Sequence, residues 1–147
     1  MLLILGFLFM VIIYAAIGTV AGFLGVLLDP WAFLLVVLPL TFFLFVTRSG
    51  KIIGKYIAAS FKKEFSYTKT ELEELVSATG NTIKFIIAAG IFSFITFAVV
   101  SLGHIGTPER LGPSIAISLT SLTYSIGISF FVFFPVQAWA KNKMYVI

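Results

Sequence analysis

FIIAAGIFSFITFAVVSLG, residues 85–103, runs for nineteen residues without an aspartate, glutamate, lysine, arginine or histidine. A helix rises about 1.5 Å per residue, so about 20 such residues cross the roughly 30 Å hydrocarbon core of a bilayer. An open strand of this composition would leave its backbone N–H and C=O groups bare in lipid. The stretch therefore reads as a membrane-spanning helix over residues 83–103.

Three more apolar runs accompany it, at about residues 2–28, 31–47 and 113–139. The first closes at Asp29-Pro30, where proline cannot continue a helix, and so short a link makes the first two runs a tight antiparallel hairpin. Trp31 then falls where an interfacial aromatic is favoured, and Pro39 predicts a kink in the second run. Proline and glycine between His104 and Gly112 mark a short outer turn, with Pro113 in the first turn of the fourth helix. Pro135, Trp139, Lys141 and Lys143 mark its inner end. The first run has no basic residues ahead of it and is too long for a signal-peptide core, so it reads as a retained helix. The expectation is an all-α, polytopic membrane protein with four transmembrane helices, one membrane domain over residues 1–147.

Composition agrees: 60% of the chain is hydrophobic and 11% charged, with mean hydropathy +1.12. One small globular core cannot bury that much apolar surface. There is no cysteine, which excludes disulfides and thiolate metal sites. Of ten Lys and Arg residues, seven lie between Arg48 and Lys84 and two are Lys141 and Lys143, against Arg110 alone in the outer turns. That positive-inside bias makes the polar loop over residues 48–82 and both termini cytoplasmic. It also explains the net charge of +4 without nucleic acid, for which no module is present.

Within the loop, Ile53, Tyr56, Ile57 and Phe61 stand at helical spacing opposite Lys51, Lys55 and Lys62. This predicts an amphipathic continuation of the second helix near the headgroups. Thr70 and Glu73 have capping-box spacing ahead of Leu72, Val76, Thr79 and Ile83, predicting a helix that runs unbroken into the third span.

The fourth run carries a ladder: Ser114, Ser118, Ser121, Ser125 and Ser129 share one helix face, beside a stripe of Thr120, Thr123 and Gly127. Two readings are open. Small residues let helices approach and exchange hydrogen bonds; alternatively the ladder, with Ser93 and Thr96, lines a space for a partner helix or water. Gly18 and Gly22 form a GxxxG spacing that suits helix packing, while Asp29 and His104 read as turn residues. No ionisable residue lies in the middle of any span, so the chain alone is a poor proton carrier. Paired carboxylates, a Ser-His arrangement, a phosphate loop and a metal-ligand cluster are all missing, so neither enzymatic activity nor a metal or cofactor is expected.

The run Leu111-Gly112-Pro113-Ser114-Ile115-Ala116-Ile117-Ser118-Leu119, continuing through Tyr124 to Phe134-Pro135-Val136, resembles the channel-forming subunit of the MotA/TolQ/ExbB family, most nearly its MotA-like members. Leu28-Asp29-Pro30, the basic amphipathic segment and Ala89-Gly90 keep that family's order, so the resemblance spans nearly the whole chain. It implies a homo-oligomeric ring in a bacterial inner membrane, commonly a pentamer. The ring would surround two helices of a single-span MotB/ExbD/TolR-like protein that contributes a membrane aspartate. Ion flow, of protons by this likeness, would drive rotation. Ser121 and Ser125 would serve the ion path or face the partner, supported by Ser93, Thr96 and Ser118. Phe94 stands where the family has a hydroxyl, and the familiar Thr-Thr pair falls on Ser121-Leu122. The short loop lacks the rotor-contacting domain of flagellar members, so flagellar torque is not expected. The alternatives are a non-conducting oligomeric membrane scaffold and, more remotely, a small pore that works without a partner.

Overall fold

The computed structural model describes residues 29–60, 67–103 and 105–145, together with Ile12. The first predicted run, with Gly18 and Gly22, lies outside the described residues, as does His104. Among the described residues the elements are all helical: α1 (Pro30–Val46), α2 (Ser49–Ser60), α3 (Lys69–Leu102), α4 (Pro108–Ile128), a π-helical turn (Ser129–Phe133) and α5 (Phe134–Met144).

Asp29 starts α1 by accepting hydrogen bonds from the backbone N–H of Trp31 and Ala32 at 2.8 and 3.3 Å, with Pro30 at the first helical position. This combination fills two donors that a helix start leaves bare. Trp31 is 71% exposed, as an interfacial ring should be. The helix continues through Pro39 to Val46. The sharp feature is instead at Arg48, whose φ of 57° is left-handed, and there the axis turns by 92° into α2. The amphipathic segment is thus a separate helix set across α1, not its continuation. Ile53 and Tyr56 are buried while Lys51 and Lys55 are exposed; Ile57, expected on the apolar side, is exposed.

The start of α3 also differs from expectation. The capping box is formed by Thr68 and Glu71, not Thr70 and Glu73. Glu71 N–H donates to Thr68 Oγ1 at 3.3 Å and Thr68 N–H donates to Glu71 Oε2 at 3.1 Å. Thr68 has the extended backbone a cap requires, and Glu71 also meets Lys55 Nζ at 3.1 Å, a contact across the chain that spacing alone does not reveal. The predicted loop is consequently helical through most of its described length.

The fourth span begins earlier than residue 113. Thr107 is the N-cap and Pro108 holds the first position, leaving Pro113 inside α4. Near the other end, Phe134 N–H donates to Ser129 O, five residues back. Pro135 has no N–H to give the preceding turn and its ring crowds it; a wider turn accommodates both. The path Glu109–Met144 nevertheless runs as one 36-residue helix.

Among the described residues two helices, α3 and α4 to α5, are long and apolar enough to cross a membrane, or three if the bent pair α1 and α2 counts as one span. The protein is a membrane protein on that ground; of the four spans expected, the first lies outside the described residues. At 34 residues, α3 is about 51 Å long, so its polar first turns project beyond the bilayer. It is the central element, packed against α4, α5, α1 and α2. Large side chains gather at its polar end, where Leu72 and Leu75 join Tyr56, Tyr67 and Ala140. There Tyr67 stacks on Tyr56 and meets Trp139 edge-on, with ring centres 5.7 and 5.4 Å apart.

Candidate functional site

The serine ladder lies in the seam between α3 and α4. Antiparallel register is set by three contacts. Ser118 Oγ donates to the carbonyl of Phe94 at 3.1 Å; Gly90 abuts Ser125; and Gln137 Nε2 donates to Val76 O at 3.2 Å. The Gly90 contact is the tightest. A Cβ there would fall on both Cβ and Oγ of Ser125, so the absence of a side chain is what lets the helices meet.

Ser121 and Ser125 are 0% exposed, and each spends its hydroxyl proton on its own helix. Ser121 Oγ donates to Ser118 O at 2.9 Å and Ser125 Oγ to Ser121 O at 3.0 Å. Ser114, half-buried, does the same toward Arg110 O and Leu111 O. Ser118 differs because its bond crosses the seam. Ser129 also differs: it is 4% exposed, and its Oγ has no hydrogen-bond partner among the described residues. The π-helical turn begins at this residue, which interrupts the backward bonding pattern of the ladder.

On α3 the facing residues are Thr79, Thr82, Ile86, Gly90 and Ser93, all buried. Thr79 and Thr82 donate to Leu75 O and Ala78 O at 2.7 Å. The steps 86, 90, 93 lead next to position 97, so Thr96 falls off the line by one residue. It is exposed and donates to Phe92 O at 2.9 Å. The five residues singled out from sequence therefore divide. Ser93, Ser118, Ser121 and Ser125 come together inside the protein, and Thr96 stands apart. Phe94 contributes its backbone oxygen to the seam.

The stripe beside the ladder also divides. Thr120 is buried, Thr123 is exposed, and Tyr124, four residues beyond Thr120, meets Phe33 of α1 edge-on with ring centres 5.8 Å apart. Among the described residues, no three of His, Cys, Asp and Glu gather as metal ligands.

At the polar end, the backbone N–H of Thr68 and then the Lys55 ammonium hold the Glu71 carboxyl below its ordinary pKa. The hydrogen bond from Lys55 to Glu71 correspondingly raises the lysine above its own. Between α1, α2 and α3 lies an open groove of about 330 Å³, lined by Phe43, Thr47, Ser49, Ile52, Glu74, Ser77, Ala78 and Asn81. Sequence reasoning passed over it. The available signal was the spacing of Glu74, Ser77 and Asn81, which puts three polar residues on one face of α3. No family model, curated protein or solved structure matches the chain.

Proposed function

We propose that the chain is a ring-forming channel subunit of an ion-driven, proton-using motor or energiser of a bacterial inner membrane, without enzymatic activity. It works with a single-span partner that supplies a membrane aspartate. The supporting observation is the pairing of two long antiparallel helices whose apolar lengths carry hydroxyls and no ionisable side chain. Proton relays through a membrane run by way of ionisable groups, so such a wall requires a carboxylate from another chain. The collinear resemblance to the MotA/TolQ/ExbB family gives the same division of labour. It also supplies the finer features of the reading: four crossings, cytoplasmic termini and a ring of about five.

In this reading the hydroxyls have two tasks. Ser93, Ser118, Ser121 and Ser125 join α3 to α4 so that the pair forms one wall, and Thr96, open on the outer face of α3, reaches the ion path. A second reading, a non-conducting oligomeric scaffold, is favoured by one observation: the Ser121 and Ser125 protons are already committed to backbone carbonyls in the same helix.

Mass determination of the detergent-purified complex separates the two, with and without co-expression of a single-span protein carrying a membrane aspartate. The motor reading expects a ring that captures fewer copies of the partner than it has subunits. A monomer, or a closed homo-oligomer that ignores the partner, leaves the scaffold. Flux across proteoliposomes then sorts the residues: Thr96→Val lowers proton flux with the ring intact, whereas Ser121→Ala leaves it near the parental rate.

A further inference from the structure

The elbow groove lies at a definite depth. Phe43 of α1 stacks on Phe85 of α3 with ring centres 4.2 Å apart, which fixes the level at which the two helices pass. On the polar side of that stack, α1 ends at Val46, α2 turns away by 92°, and Lys84 and Asn81 follow on α3. This is where the apolar lengths of both helices stop, the level of lipid headgroups.

The groove is apolar at one end and polar at the other. Phe43 and Ile52 stand on its apolar side; Glu74, Ser77 and Asn81 line one face of α3, facing Ser49 across the elbow. Among the described lining residues Glu74 alone carries charge, and it is exposed, as are Ser77 and Asn81. The neighbouring acid, Glu71, is engaged by Lys55. Thr47 Oγ1 lies 2.7 Å from Phe43 O and 2.8 Å from Ser49 Oγ; the Glu74 carboxylate is the charged acceptor that the lining offers a guest cation. Arg48 and Lys51, both exposed, adjoin the lining residues Thr47, Ser49 and Ile52 in the chain.

We infer that this groove binds the headgroup of an aminophospholipid, its primary ammonium hydrogen-bonded to Glu74 with Asn81 and Ser77, and its phosphate toward Arg48 and Lys51. A carboxylate inside cationic flanks matches a zwitterion with a terminal ammonium. An anionic headgroup would meet the wrong charge within the groove, and a quaternary ammonium has no N–H to donate. Phe43 of the groove stacks on Phe85, where the apolar length of α3 begins, so the acyl chains leave along that side, which selects a lipid over a soluble amine.

The site is independent of any motor activity, and its test needs none. The full chain, purified in detergent, is titrated with phosphatidylethanolamine, phosphatidylcholine and phosphatidylglycerol of matched acyl chains, and bound lipid is counted by native mass spectrometry. One phosphatidylethanolamine is retained in preference to the other two, by roughly ten-fold for a charge-assisted hydrogen bond. Glu74→Gln removes that preference, while Glu73→Gln, an equally exposed neighbour that does not line the groove, keeps it. Excess soluble phosphoethanolamine fails to displace the lipid. Equal retention of the three lipids, an unchanged preference in Glu74→Gln, or full displacement by the soluble amine would each overturn the assignment. So would preference for phosphatidylglycerol.

Discussion

The two ends of α3 are packed by different means. At the polar end Leu72, Leu75 and Ala78 are buried among tyrosines and Trp139; toward the far end the buried residues are Gly90, Ser93 and Ser101. One helix thus meets two solvents. In water, apolar area removed from solvent stabilises by roughly 25 cal/mol per Å², which favours large side chains. In lipid that drive between helices is absent, and close approach with small residues and hydrogen bonds takes its place.

The contrast breaks most readily at its water-facing end. Leu75→Ala leaves a cavity in a fully buried position, and a loss of about 2–5 kcal/mol is expected, read as lowered stability in detergent by circular dichroism. Little change there would mean that the polar end is not held by burial.

Gly90→Ala probes the lipid-facing end with a single methyl. Its Cβ meets the Cβ as well as the Oγ of Ser125, so the helices must separate, at a cost of about 1–3 kcal/mol as for other overpacked sites. Ser125→Gly in the same chain restores the fit, whereas Ser125→Ala does not, because the obstructing Cβ remains. Equal rescue by both would remove steric contact as the reason for Gly90.

Smaller effects sharpen the seam. Ser118→Ala loses a bond between helices and costs about 0.6–1.7 kcal/mol. Ser121→Ala loses one within a helix and costs less. If the order is reversed, Ser121 has a partner other than its own turn.

The smallest effect is the pH response of the Lys55–Glu71 pair, exposed enough for solvent to screen it. Glu71 is lowered and Lys55 raised in pKa. The glutamate's contribution is therefore complete above its ordinary pKa of about 4.3 and lost as pH falls through the lowered value. The lysine's is complete below about 10.4 and lost as pH rises through the raised one. Glu71→Gln should flatten the acid limb of a stability profile while leaving the plateau between those limits level.

Much of this was legible in the sequence because membrane composition is blunt. Uncharged runs gave the helices of α3 and α4, and the spacing of the serines gave their shared face. What escaped depended on contacts across the chain. The cap at Thr68 depends on a residue that also reaches Lys55, so the nearby Thr70-Glu73 spacing was an equal match on pattern alone. The elbow at Arg48 is a backbone event with no proline or glycine at that residue to announce it. Thr96 was grouped with Ser93 by proximity, yet one position of helical phase takes it out of the seam. The tie between Gly90 and Ser125, 35 positions apart, follows only from the register of two helices.

All of this rests on the ladder being spent within one chain. The chain has no cysteine, so Ser93→Cys with Ser121→Cys introduces a single pair, placed across the seam at the level fixed by Gly90–Ser125 and Phe94–Ser118. Oxidation in native membranes, followed by denaturing electrophoresis, should give a cross-linked monomer of altered mobility. Cross-linked dimers, or failure to link at all, would place the serine face elsewhere and contradict the account.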